Sequence, residues 1–260
     1  MPINTFTKES IVQISKRLKQ LSRRVIKSTQ PHNLTNSTPR RSAVLLPLCY
    51  DNHVPSILYT KRTNKLKFHS GEISFPGGRI DTNESHTQCA LRETYEEIGI
   101  SSSCIDILGV HHDIQTHGHR NPISVITPVI GYINTDLTQL QLQPSPDEVD
   151  FIFTVPLNKF LSFDDTIFHR TRHTYPAYNT TYQYNDSWSS RHSNELSKTR
   201  APAQTLLQIW GASAYITHGF IHDILLNADE RKQLNDNDGD GDRESMDQYD
   251  SELTDDFPKQ

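Results

Sequence analysis

Apolar and polar positions alternate along this chain in distinct ways, each predicting a different element. From Ser10 to Ile26, Ile11, Ile14, Leu18, Leu21 and Val25 recur every three or four residues, the period of an amphipathic helix. A polar linker rich in Pro, Asn, Ser and Thr follows from Ser28 to Arg41. Ser42 to Tyr50 is a continuous apolar run, the pattern of a buried strand. Asp51-Asn52-His53 makes a turn, and Ile57 to Thr60 supplies the partner strand of a hairpin. Further strands are predicted at Ile105–Val110, Ser124–Ile133 and Val149–Val155, with a helix between the hairpin and these strands. The class this implies is mixed α/β.

Beyond the last of these strands the pattern weakens. Ser162 to Thr205 is rich in His, Tyr, Asn, Ser and Arg with little periodicity, and reads as an irregular excursion with at most short strands. Leu206 to Leu226 regains apolar density and reads as a closing helix containing Trp210. The rest is acidic and poor in bulky apolar residues, a composition that cannot bury enough surface to fold alone. The predicted division is a basic amphipathic segment with linker at 1–41, a globular domain at 42–228, and a disordered acidic tail at 229–260.

Charge sharpens this division. The formal net charge of −5 hides nine Lys/Arg against one acid, Glu9, in residues 1–41, and twelve Asp/Glu against four Lys/Arg from Asp229 onward. With no continuous basic face, a nucleic-acid polymer is not the expected partner. Cys49, Cys89 and Cys104 are too few and too scattered for a disulfide framework or a thiolate zinc site, which points to a reducing, intracellular setting. No apolar run approaches the roughly twenty residues of a membrane span. The Lys/Arg-rich helix at 10–26 reads either as a helix packed on the domain or as a mitochondrial presequence.

Candidate chemistry concentrates in FPGGRIDTNESHTQCALRETYEEIGI, Phe75 to Ile100. A helix from about Ser85 to Ile98, with Ser85 and Gln88 in capping-box register, places Glu93, Glu96 and Glu97 within a third of its circumference. Ala90, Leu91, Thr94 and Ile98 gather on the other side. Like charges so placed repel by a few tenths of a kcal/mol per pair unless something neutralises them. Hard oxygen ligands in that arrangement suit Mg²⁺ or Mn²⁺. A solvated acidic face is the commoner fate of a Glu run, but here the glutamates sit in a frame. Gly77 and Gly78 end a strand and admit a ligand close to the backbone; Glu84, Arg92 and Gly99 follow at fixed intervals. Seven specified letters would coincide by chance on the order of 10⁻⁸ per starting position.

The string Gly78-x5-Glu84-x7-Arg92-Glu93-Thr94-x-Glu96-Glu97-x-Gly99-Ile100 resembles the box of the Nudix hydrolases, with Thr94 where the family prefers a larger aliphatic residue. The resemblance implies an α/β/α sandwich around a mixed sheet, a loop-helix-loop catalytic motif, and cleavage of a nucleoside diphosphate linked to another group. It implies that Glu93 and Glu97 are the principal metal ligands and Glu96 a further ligand or water-orienting carboxylate. Arg92 would then be the ion pair that fixes the glutamates, and Glu84 a supporting position.

Upstream, Leu58-Tyr59-Thr60-Lys61-Arg62-Thr63, then Lys67, Gly71 and Phe75-Pro76-Gly77-Gly78, resemble the added signature of the coenzyme A diphosphatase branch. Tyr59, Thr63 and Lys67 depart from it in side chain but keep its character. By that resemblance Arg62 and Lys67, with Gly77 and Gly78, would bind a substrate carrying a 3′-phosphate and a diphosphate. Val125 to Val129, Glu148-Val149, Val155-Pro156-Leu157 and Ile209-Trp210-Gly211 are similar to later landmarks of that branch, and Glu148 stands where a distal carboxylate reaches the metal cluster or lies in a solvated loop.

The implied activity is hydrolysis of coenzyme A or acyl-coenzyme A to 4′-phosphopantetheine, or its acyl form, and 3′,5′-ADP. The alternatives are a Nudix diphosphatase for an ADP-sugar or an oxidised nucleoside triphosphate, and a catalytically silent nucleotide-binding module. Relatives of this kind work in peroxisomes or mitochondria, and the cytoplasm stays open; the terminal Asp256 to Gln260 is no Ser-Lys-Leu address.

Two other groups of residues carry candidate metal ligands. His111, His112, His117 and His119 lack the spacing and the Cys partner of a transition-metal site and read as a polar loop between strands. Asp236, Asp238, Asp240 and Gly241 open like a calcium loop but reach Asp247 at the twelfth position, and read as solvated tail.

Overall fold

The computed structural model describes residues 4–23, 25, 40–118, 121–161, 182–185 and 206–231. The hairpin forms as its sequence predicts. Strand β1 (Arg40–Asp51) pairs antiparallel with β2 (Val54–Arg62) across a turn in which Asn52 and His53 adopt left-handed conformations, with φ of 50° and 64°. Asp136 accepts hydrogen bonds from both turn amides, at 3.2 and 2.8 Å, which fixes the turn against a distant loop.

Around this hairpin the other strands assemble into one mixed sheet. Strands β3 (Ile73–Ser74) and β8 (Val149–Pro156) pair with β2, and β4 (Gly77–Arg79) pairs with β1. The long β7 (Asn121–Ile133) runs parallel to β1 and antiparallel to both β5 (Ile105–Val110) and β6 (Ile114–Gly118). Two sequence expectations change here. Gly77 and Gly78 open the short strand β4 instead of ending one, because their backbone groups pair with Val44 and Ala43 of β1. The expected loop around the histidines contains strand β6, drawn into the sheet by Ile114, buried opposite Ile126.

Helices cover both faces, and a short helix, α3 (Leu157–Leu161), follows β8. Leu58 and Tyr59 are neighbours on β2 and so point to opposite sides. Leu58 packs with Cys89, Ala90 and Ile98 of α2 (His86–Ile98), whereas the Tyr59 hydroxyl lies 2.7 Å from Thr217 of helix α4 (Gly211–Phe220). On the α4 side Tyr59 also stacks between Phe75 and Phe153, with ring centroids 4.8 and 5.5 Å away. The layers are therefore α/β/α. Burying the Tyr59 ring with its hydroxyl paired satisfies both halves of an amphipathic side chain.

Helix α1 (Lys8–Gln20) begins before the predicted Ser10, because Thr7 caps it, its hydroxyl accepting the Ser10 N–H at 3.2 Å. It ends at Gln20, short of the predicted Ile26. Ile14 and Leu18 are its buried residues, and Arg17 in its last turn donates to the carbonyls of Ile224 and Leu225. The compact unit Ile3–Leu225 thus includes the amphipathic helix that the sequence pattern sets apart in segment 1–41.

The expected closing helix over Leu206–Leu226 divides. Leu206–Ile209 is a strand, β10, paired antiparallel with β9 (Tyr182–Asn185). Trp210 is the extended residue before α4, and a π-helical turn, Ile221–Leu225, ends the segment. A short apolar run does not by itself distinguish strand from helix. In the second unit, Asn227 and Glu230 exchange hydrogen bonds of 2.9 Å, a capping box for the turn that follows. Most of the predicted excursion at 162–205 and the acidic tail beyond residue 231, with the Asp236–Asp247 stretch, lie outside the described residues. No helix among the described residues is long and apolar enough to cross a membrane.

Candidate active site

Helix α2 is the scaffold of the site, and its sequence fixes both ends. Ser85 and Gln88 form the capping box, with the Ser85 hydroxyl accepting the Gln88 N–H at 3.2 Å and the Gln88 side chain accepting the Ser85 N–H at 2.9 Å. Gly99 ends the helix in the left-handed region at φ 78°, which costs glycine nothing. Thr94, the departure from the aliphatic preference, is fully buried and returns its hydroxyl to the Ala90 carbonyl at 2.6 Å. A buried polar group so bonded avoids most of its desolvation cost.

Arg92 organises the carboxylates. Its Nε and Nη2 donate to the two oxygens of Glu84 at 2.8 and 3.0 Å, a bidentate fork. Nη1 donates to Glu93 at 2.9 Å and to Glu96 at 3.0 Å, and Nη2 reaches the Arg79 carbonyl at 3.1 Å. The Arg92 hydrogen bonds hold the Glu84 carboxyl down at about 2. The sign follows directly. A depressed carboxylate pKa contributes stability that is present above the unfolded value and lost as pH falls through the folded one. Glu84→Gln is therefore expected to cost on the order of 1 kcal/mol in urea unfolding at pH 7, and the gap to wild type should shrink between pH 4.5 and about 2. An equal gap at pH 3 and pH 7 would show that the pair is not the source.

Glu93 and Glu97 occupy a different environment. The acidic side of α2 is not uniformly solvated: Glu97 is only 3 % exposed, whereas Glu96 is 52 % exposed and stands at the rim. Burial drives the Glu97 carboxyl up to about 8, helped by the charges of Glu148 and Glu93 and opposed by Arg62 and the Gly77 amide. Burial also raises Glu93, against the pull of Arg92. Glu148, itself exposed, is close enough for its charge to act on both glutamates.

Arg62 reaches this pocket from the end of β2. Lys61 and Arg62 are neighbours on the strand and so point to opposite faces, and the β2–β8 pairing shifts register between them. Lys61 pairs with Asp150 at 3.2 Å and lies over the Phe151 ring, while Arg62 places Nη1 3.8 Å from Glu97 Oε1. Lys65 is paired with Asp147 at 3.5 Å. Of the predicted substrate-binding cations, Arg62 is thus brought to the glutamates. Lys67 instead stands exposed in the loop between β2 and β3, without an ion pair among the described residues. The structure gathers Glu84, Arg92, Glu93 and Glu96 in one network, and Glu93, Glu97, Glu148 and Arg62 in the adjoining pocket, with Gly77 and Gly78 as its floor.

Whether these residues suit a divalent ion can be read from what they leave unsatisfied. Glu97 Oε2 and Arg62 Nε are buried without hydrogen-bond partners. Buried polar atoms are ordinarily paired, and orphans call for a ligand. Gly78 lies so close to the Glu93 carboxylate that a side chain there would overlap all three of its terminal atoms, the farthest at only 2.7 Å. The donors are all hard oxygens, and Mg²⁺ or Mn²⁺ fits them through Glu93, Glu97 and, at the rim, Glu96. Bound there, such an ion would supply positive charge to diphosphate oxygens and acidify water. Arg62 is placed to pair with a phosphate, and a carboxylate left ionised would accept the proton that an attacking water sheds.

The fold and this constellation define a class, α/β/α sandwiches with a helix of clustered carboxylates against the sheet, and comparison with known proteins identifies the family. The NUDIX domain model matches residues 39–178, and the chain belongs to the Nudix family. It is 32 % identical over 223 residues to Nudix hydrolase 3 of Caenorhabditis elegans, covering 83 % of this chain and 85 % of that protein. It is 32 % identical over 154 residues to the uncharacterized Nudix hydrolase NudL of Enterobacter sp. (strain 638), covering 57 % of this chain and 76 % of that one.

Sequence reasoning missed one group. His111 and His112 face Asp223 from the π-helical turn, more than a hundred residues away, and no spacing within the sequence announces that meeting.

Proposed function

We propose that the protein hydrolyses the diphosphate of coenzyme A or its thioesters, using Mg²⁺ or Mn²⁺ held by Glu93, Glu97 and Glu96. The observation that carries this reading is Arg62. A half-buried guanidinium whose Nε is buried and unspent, set beside the carboxylate pocket, is the group an adenosine phosphorylated at two positions needs, and the Leu58-to-Gly78 pattern around it supports the same class. The Arg62 N–H donates to the Glu72 carbonyl at 2.9 Å, closing the β2–β3 loop at its base. That loop presents Lys67 beside Phe68, which is 67 % exposed. An aromatic face next to a cation suits adenine and a phosphate.

In the test, purified protein and Mg²⁺ are incubated with coenzyme A, acyl-coenzyme A, ADP-ribose and 8-oxo-dGTP. Release of 3′,5′-ADP from the first two is expected, with Arg62→Ala weakening the coenzyme A reaction chiefly through KM. Turnover of only the latter two would reject the coenzyme A assignment in favour of another diphosphatase. Tight nucleotide binding without turnover of any would favour a regulatory module.

A further inference from the structure

The face of the sheet opposite α2 carries a second cluster of metal-ligating side chains. Val110 packs into the α2-side core, so His111, the next residue, turns toward α4; a methyl group on Gly219 of that helix would come within 3.2 Å of its ring. His111 Nε2 lies 3.3 Å and His112 Nε2 3.9 Å from Asp223 Oδ2, and one ligand atom from each of the three residues falls within 4.8 Å of the others. The other oxygen of Asp223 is bonded to His222 Nδ1 at 3.0 Å, which sets the carboxylate's orientation.

One atom is unexplained. The His111 side chain is 5 % exposed, and its Nε2, aimed into the cluster, makes no hydrogen bond. An imidazole nitrogen buried next to a carboxylate without an aligned hydrogen bond fits an atom that donates its lone pair elsewhere. The carboxylate is supplied by a π-helical turn, Ile221–Leu225, a form concentrated at functional sites.

We propose that His111, His112 and Asp223 bind a first-row transition ion of the Zn²⁺ class, separate from the oxygen-only site on α2, with a position left open for water. Two imidazoles and one carboxylate suit Zn²⁺, with ligand bonds of about 2.0–2.2 Å and hence donor separations of roughly 3.3–3.5 Å. The 3.3 Å separation already matches, the 3.9 Å one needs a small closure, and the two imidazoles, within 4.8 Å of each other, must draw together. Mg²⁺ does not compete for such a set, because it favours hard oxygen and keeps its waters. The ion would tie the end of β5 to the α4 segment, where Arg17 of α1 also anchors through the Ile224 and Leu225 carbonyls.

The full-length protein, stripped with EDTA, is titrated with Zn²⁺ by calorimetry in excess Mg²⁺, and the melting temperature is followed in parallel. One Zn²⁺ per chain and a raised melting temperature are expected. His112→Gln and Asp223→Asn should each weaken binding by more than about a hundredfold and abolish the rise, while Glu97→Gln retains both. His112 is partly exposed, so its variant keeps the core intact if Asp223→Asn does not. Visible absorption of bound Co²⁺ should follow the same variants. Zn²⁺ lost in Glu97→Gln but kept in His112→Gln, or no stoichiometric Zn²⁺ in the wild type, would overturn the proposal.

Discussion

Replacing Glu97 by Gln is expected to lower kcat by roughly 10²–10⁴-fold, the range of a lost catalytic carboxylate, with the fold preserved. The amide has nearly the shape of the carboxylate, so the buried slot, 3 % exposed, stays filled. What disappears is the carboxylate that, on the proposed function, would hold the ion 3.8 Å from Arg62. Stability separates this loss from unfolding. A buried carboxyl raised to about 8 favours the protonated fold, so metal-free wild type should lose stability as pH rises from 4.5 to about 8. Glu97→Gln removes that group and should flatten the dependence. Urea unfolding in EDTA at pH 5 and pH 8.5 reads the slope, and hydrolysis with Mg²⁺ reads kcat. Undiminished turnover at equal Mg²⁺ would remove Glu97 from the mechanism. A Glu97→Gln protein that unfolds more easily at pH 8.5 would contradict the burial assigned to it.

The site was more legible in the sequence than the packing around it, and the reasons are physical. Ser85, Gln88 and Gly99 act within one helix, so short-range capping rules located its ends. The Arg92 network spans residues 79–96 and is likewise local. Helical periodicity put Glu93, Glu96 and Glu97 on one arc, but could not show that Glu97 is tucked under the sheet while Glu96 faces solvent, since that depends on where β1 and β2 lie against α2. Arg62 could be picked from Lys61 and Lys65 only by resemblance; in the structure those two lysines are taken up by Asp150 and Asp147, more than eighty residues downstream. The short strand Leu206–Ile209 carries no strand signal of its own, because its pairing partner, Tyr182–Asn185, sits in a stretch without periodicity. Asp223 was invisible for the same reason: its ligand partners are assembled by tertiary contact alone.

Gly78→Ala should reduce kcat by about a hundredfold, the effect of a misplacement near 1 Å at a catalytic group, although it adds only one methyl. Gly78 is not among the residues with positive φ, so its backbone accepts alanine; the obstacle is the Glu93 carboxylate lying against it. The strand cannot yield, because Gly78 is paired with Ala43 in the middle of the β1–β4 ladder. Displacement therefore falls on Glu93, which Arg92 grips at 2.9 Å, and the disturbance passes through Arg92 to Glu84 and Glu96. Overpacking of this kind typically costs about 1–3 kcal/mol. A double-mutant cycle identifies the cause. In a Glu93→Ala background the carboxylate is gone and the methyl has room, so Gly78→Ala should then cost little stability, giving a coupling of about 0.5–3 kcal/mol. Equal cost in both backgrounds would mean that Gly78 serves the β4 backbone and not the carboxylate that rests on it.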